Sequence, residues 1–189
     1  MKVISIWQPF ALLSVRGFKI FETRTWAMPS TLIGQRVGIA STKNVKPEQR
    51  AFVEDEEFQA HYLRTGLPPM AELPMGYLMG TVIMDSCELM TEEFVEDVSA
   101  EEQAYGFWDE GNYAWRQREP MWLKHPIPIQ GKQGIYEWDG KLPDDEPEVR
   151  PFESSQARQG EDGFQELQAH EGGAPQQAAH RRGLYLVDR

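Results

Sequence analysis

Residues 9–16, PFALLSVR, are apolar on nearly every side until the closing arginine. A helix of this kind has no solvent face, so the rest of the chain must fold around it. Pro9 brings a fixed φ suited to a first helical turn, and Gly17 fits the left-handed position just past a helix end, with Arg16 placed to meet the dipole. Immediately behind comes Gly17-Phe18-Lys19-Ile20-Phe21-Glu22-Thr23-Arg24-Thr25-Trp26, which sets a cation, an anion and a second cation within six residues and then an indole. Charges this close to a buried segment belong either to a solvated strand face or to the polar floor of a ligand cleft.

The pieces around the helix read mostly as short strands. Residues 2–6, 19–26, 35–40, 76–89, 113–117, 121–129 and 134–138 are rich in β-branched and aromatic residues and are bounded by Gly, Pro or Ser. Pro47 opens a helix reaching about residue 63, 65–74 is a Gly/Pro loop, and Ser99-x-x-Glu102 reads as a capping box for a short helix ending before Gly106. Helices are too few and too irregularly placed for a doubly wound sheet. The expected class is therefore α+β: a small, partly closed β-barrel of about six strands with flanking helices. Residues 1–142 form the expected domain. Residues 143–189 are acidic and rich in Gln, Gly and Pro, with too little apolar content to offset chain entropy, and read as a disordered tail. Leu184-Tyr185-Leu186-Val187 within it reads as a stray apolar end or a short docked strand.

The 189-residue chain carries one cysteine, Cys87, in an apolar run, which excludes an internal disulfide and reads as a buried inert thiol. No apolar stretch approaches a membrane span, and no signal sequence is evident, so a soluble cytoplasmic protein with no membrane partner is expected. The net charge of −11 argues against generic polyanion binding, but its distribution is uneven. Residues 1–50 hold eight Lys/Arg against two Asp/Glu, whereas 51–112 hold one against fifteen. A basic face on an acidic body follows.

On a regular strand Glu22, Arg24 and Trp26 share one face, and Lys19 joins them only if the chain is still turning behind Gly17. Spacing alone favours an exposed charge ladder. A Lys beside a Glu stays protonated, which suits holding an anion or a carbonyl. Trp7, Trp26, Tyr113 and Trp115 lie beside Gln8, Arg24, Asn112 and Arg116, a mixture suited to base stacking and edge recognition, although core packing must claim most of them. Ser41-Thr42-Lys43 at a strand end offers hydroxyls and a cation for a phosphate, or is an ordinary loop entry. Gly131-Lys132-Gln133-Gly134 lacks the remainder of a phosphate loop and reads as a hairpin turn. The carboxylates at 92–97 read as a solvated face. The four histidines show no paired spacing, so neither a metal site nor a Ser–His–Asp arrangement is supported.

These segments, in this order, resemble the ASCH domain, a branch of the PUA-like superfamily, over about residues 2–139. The likeness lies in the Ser5-Ile6-x-Gln8-Pro9-Phe10-Ala11 start, in Gly17-x-Lys19-x-x-Glu22-x-Arg24, and in Arg36-Val37-Gly38-Ile39-Ala40. It continues in Pro74-Met75-Gly76-Tyr77-Leu78-Met79-Gly80-Thr81-Val82 and in Pro126-Ile127-Pro128-Ile129-x-Gly131-x-Gln133-Gly134-Ile135-Tyr136. The pattern is most similar to the ASCH domain of eukaryotic transcriptional coactivators and its bacterial and phage relatives. The resemblance implies a small barrel with a cleft beside the first helix that binds RNA, or nucleic acid more broadly. The ligand would be short single-stranded RNA or DNA or a modified nucleoside, with no cofactor. The binding residues would be Trp7, Gln8, Lys19, Glu22, Arg24, Trp26, Ser41, Lys43 and Tyr113. A bacterial subgroup is similar to amidohydrolases that remove acyl groups from N-acylated cytidine through a Lys, a Thr three residues on and a distant Glu. Lys19 matches the first, Glu22 stands where the Thr would be, and Glu101 or Glu102 is offered for the third. In that alternative Lys19 and Glu22 are the catalytic pair.

Overall fold

A computed structural model describes residues 1–143; the tail readings at 144–189, including 184–187, lie outside the described residues. The chain runs β1 (Lys2–Ile6), α1 (Phe10–Val15), β2 (Phe21–Arg24), β3 (Arg36–Ser41), α2 (Pro47–Val53), α3 (Glu56–Arg64), β4 (Tyr77–Leu89), α4 (Glu92–Glu96), α5 (Ala100–Ala104), β5 (Tyr113–Pro128) and β6 (Ile135–Glu137). The strands form one sheet in the order β2-β5-β4-β3-β1-β6, with β1 and β3 parallel and every other pair antiparallel. The sheet curls into a half-barrel with helices around it, which is the α+β, small-barrel class expected from the strand pattern.

Every residue of α1 is buried, and the helix packs against β3, β4 and β5. Its start is capped from one residue upstream: Gln8 Oε1 accepts from Leu12 N at 3.1 Å. Its end is a Schellman turn in which Gly17, at φ 77°, donates to Ser14 O and Phe18 N donates to Leu13 O. That turn throws the chain back across the sheet, so Lys19 emerges directly beside the helix it follows.

The β4–β5 ribbon dominates the sheet. Its register shifts three times, between Leu78/Gly80, Thr81/Ile83 and Met84/Ser86. Each irregularity bends and twists the pair, which is how one sheet wraps a helix. At the second of them Glu119 adopts φ 48°, held by Arg36, which donates to its carbonyl at 3.1 Å and to its carboxylate at 3.0 Å. The two strands expected at 113–117 and 121–129 are therefore one bulged strand, β5.

Three further expectations are corrected. The strand expected at 19–26 shortens to Phe21–Arg24, because Lys19 still belongs to the turn behind α1 and Trp26 lies past the last pair with β5. The helix expected from Pro47 to 63 is two helices, because the Asp55 carboxylate accepts from Glu57 N and Phe58 N and starts α3 anew. The capping box is half present: Ser99 Oγ accepts from Glu102 N at 3.2 Å, but the Glu102 carboxylate reaches across to β2 instead of returning to Ser99. Cys87 is half-buried and its sulfur accepts from Met28 N at 3.2 Å. Among the described residues no helix is long and apolar enough to cross a membrane.

Candidate functional site

The turn behind α1 delivers Lys19 into the angle between α1, β2 and α5. The residue is 2% exposed, its Nζ donates to Tyr105 O at 2.8 Å, and it rides 5.7 Å from the centre of the Phe10 ring. Burial lowers its pKa; the Glu102 and Glu22 carboxylates oppose that, and Arg24 adds to it. Glu102, in the middle of α5, is buried and accepts from Ile20 N and Phe21 N, each at 2.9 Å. Its pKa is raised by burial, against the pull of Lys19 and of the two backbone donors, with Glu101 raising it further. Lys19 and Glu102 therefore bond in opposite directions across one junction, each satisfying the other element's backbone. The second arm also covers the first N–H groups of β2, an edge strand.

Glu22 and Arg24 share a face, as strand alternation requires, and lie opposite Trp115 and Tyr113 of β5. Arg24 Nε stands 3.0 Å from Glu22 Oε1, with the two side chains 25% and 10% exposed. The guanidinium lies 5.9 Å from the centre of the Trp115 ring, and its Nη2 donates to Ser5 O at 3.2 Å. Ser5 belongs to β1, whose pairing with β6 ends at Ile4. Arg24 thus spans the seam between the β2 edge of the curled sheet and the opposite end of that sheet. The pair is largely buried, with Arg24 its more open member: it is the polar floor of a seam, not a solvated ladder.

Aromatic surface lines the same place. Trp26 is 37% exposed, meets Trp115 edge-to-face at 4.6 Å between ring centres, and accepts from Trp115 Nε1 through its carbonyl at 3.2 Å. Tyr113 is half-buried opposite Arg24. Lys19, Glu22, Arg24, Trp26 and Tyr113 are therefore neighbours. Trp7 is half-buried against the main core. Gln8 and Ser41 meet each other instead: Gln8 Nε2 and Ser41 Oγ both donate to Pro74 O, at 3.0 and 2.8 Å, and Ser41 Oγ accepts from Tyr77 N. Both are buried and tie β1 and β3 to the segment before β4. Lys43 is exposed and lies along Gly76.

Of the two acids offered as a distant partner for Lys19, Glu102 is the one whose charge bears most on it. Ser5 was not a candidate, because nothing in a Ser-Ile-Trp run marks its carbonyl as the receiver of an arginine nineteen residues away. Among the described residues no group of three or more His, Cys, Asp or Glu is placed to hold a metal ion.

No family model and no curated protein matches the chain. Among solved structures, ASCH from Zymomonas mobilis is similar, with a TM-score of 0.46 and 18% identity over 71% of this chain and 85% of that one. A point variant of the same bacterial protein aligns with a TM-score of 0.43 and 19% identity over 71% and 87% of the two chains. These structures are of ASCH proteins, the family that the Gly17-x-Lys19-x-x-Glu22-x-Arg24 motif resembles.

Proposed function

We propose that the chain is an ASCH-type module that binds single-stranded nucleic acid, RNA first among the alternatives, or a modified nucleobase, at the Glu22–Arg24 seam. The observation that carries this reading is the Glu22–Arg24 pair, its arginine one quarter exposed, lying over Trp115 beside the exposed Trp26. A carboxylate and a guanidinium side by side offer an acceptor and donors to the edge of a base, and an exposed indole offers a stacking face. Lys19 supports the floor from below; its ammonium is turned to Tyr105 O. A thermal-shift screen of nucleosides, modified nucleosides and short oligonucleotides tests the reading, because a ligand of the native state raises the melting temperature by mass action. Stabilisation by a nucleoside or oligonucleotide, absent in Arg24→Gln, supports it. Equal responses in parent and Arg24→Gln, or none in either, count against it.

A second reading is hydrolysis of N-acylated cytidine, and one observation favours it: Lys19 lies buried with the Glu22 and Glu102 carboxyls near it, an amine and two acids able to exchange a proton. Water would add to the acyl carbon and the exocyclic amine would leave. Absorbance-monitored turnover of acetylated cytidine decides it. A rate at background, or one unchanged in Glu22→Gln, removes the enzyme reading and leaves binding.

A further inference from the structure

The seam continues past the proposed base contact into a second polar group centred on Ser5. Three parts of the chain converge there. Arg24 Nη2 donates to Ser5 O at 3.2 Å, and the Tyr136 hydroxyl of β6 lies 3.4 Å from Ser5 Oγ. The loop before β6 returns so closely that a Cβ on Gly131 would stand 3.2 Å from Ser5 Oγ, tighter than an ordinary contact. Glycine lets the backbone settle over that hydroxyl. The next residue, Lys132, is exposed and lays its ammonium 5.9 Å from the centre of the Tyr136 ring.

These groups have donor capacity to spare. A hydroxyl pair at 3.4 Å is long, so the Ser5 and Tyr136 protons remain open to a better acceptor. Lys132 has no carboxylate partner among the described residues. Glu22 Oε1 stands 3.0 Å from Arg24 Nε as an ion-pair partner, and Arg24 Nη1 has no hydrogen-bond partner among the described residues. A guanidinium edge, an exposed ammonium and two hydroxyls gathered about Ser5 match the needs of a phosphate oxygen cluster.

We infer that Arg24, Lys132, Ser5 and Tyr136 form an anion subsite that takes the phosphate of a nucleotide bound at the adjoining Glu22–Arg24 seam. The inference deepens the proposed function and rests on it for the base, but not for the anion. The Gly131-Lys132-Gln133-Gly134 segment, expected as a hairpin turn, instead joins β5 to a β6 that pairs with β1, and it gains a role as one wall of the subsite. The subsite makes the ligand class a nucleotide or phosphodiester in preference to a free nucleoside. Phosphate contacts of this kind position a ligand without reading its sequence.

The test compares common ribonucleosides, their 3′-monophosphates and inorganic phosphate by calorimetry and by amide chemical shifts, in the parent, in Lys132→Gln and in Ser5→Ala. Lys132 is exposed, so its substitution leaves the fold intact. The expected result is monophosphates binding about tenfold tighter than the nucleosides, a gain of about one decade in Kd. Lys132→Gln and Ser5→Ala should each remove most of that gain without weakening nucleoside binding. Inorganic phosphate alone should move the amides of Ser5, Gly131 and Lys132. Nucleosides binding as tightly as their phosphates, with Lys132→Gln silent, overturns the subsite and leaves the base reading standing. Phosphate shifting those amides while no nucleoside binds supports the subsite and defeats the base reading. No response to phosphate or to monophosphates overturns the subsite whatever the nucleosides do.

Discussion

Lys19 Nζ donates to the carbonyl of Tyr105 at 2.8 Å across 86 residues of sequence, in a place where the lysine is 2% exposed. Beside it the Glu102 carboxylate accepts from the backbone N–H groups of Ile20 and Phe21. The two residues clasp α5 to the start of β2, and that clasp holds the strand carrying Glu22 and Arg24.

Lys19→Ala is expected to lower stability by about 3 kcal/mol, because it leaves Glu102 and Glu22 buried without the cation between them. Denaturant unfolding followed by circular dichroism measures it. Lys19→Ala combined with Glu102→Gln should lose clearly less than the sum of the single losses, since each variant breaks the same junction. Additive losses would mean the two groups do not act together.

Stability should depend on pH through Glu102. Burial holds its folded pKa above the ordinary 4.5. Just above 4.5 the folded state therefore binds a proton that the unfolded state has released, and stability falls as pH rises through that window until the folded carboxyl also ionises. Lys19 works in its own window: its folded pKa lies below 10.5, so between the two values the unfolded state binds more protons and stability rises with pH. Unfolding free energies of parent and Glu102→Gln across the acidic range should show the decline above pH 4.5 in the parent and a flatter profile in the variant. Identical slopes would contradict this.

Gly17→Ala should destabilise by about 1–2 kcal/mol, the ordinary cost of a side chain in the left-handed region. The residue sits at φ 77°, and an added Cβ would stand 3.1 Å from Pro120 Cγ. The loss is read from the unfolding midpoint. A neutral result would mean that the Schellman turn does not need its glycine.

What could be read from the sequence follows from how local each signal is. The all-round apolar helix, Gly17 as its terminator and the shared face of Glu22 and Arg24 depend on residues a few positions apart, and periodicity shows them. The same holds for most strands. The break at Asp55 is not legible in the sequence, because its capping role depends on where α2 stops, which composition does not mark. The bulges that make β5 one strand depend on its partner β4 and on Arg36 holding Glu119. Ser41 and Gln8 carried polar groups near the resemblance motif, but their partner, the Pro74 carbonyl, is 33 and 66 residues away. Lys19 looked like a surface cation because a charged side chain usually is one; its burial requires α5, which arrives only after residue 99.

Arg24→Lys should weaken the seam while preserving charge. A lysine cannot face Glu22 and also donate to Ser5 O, because its compact ammonium lacks the guanidinium fork. A loss of about 1 kcal/mol in stability is expected from the missing hydrogen bond. Chemical unfolding measures it, and Ser5 amide exchange should accelerate in the same variant. Unchanged stability and exchange would place the Arg24–Ser5 contact outside the forces closing the barrel.

Ligand binding at the Glu22–Arg24 seam is read by one titration. Fluorescence anisotropy of a labelled short single-stranded RNA should be followed in parent and Arg24→Gln at several salt concentrations, with the near-ultraviolet dichroism of the tryptophans confirming that both are folded. The expected result is salt-sensitive binding by the parent and at least about a tenfold weaker Kd in Arg24→Gln. Equal affinity in the two folded proteins at every salt concentration would contradict it.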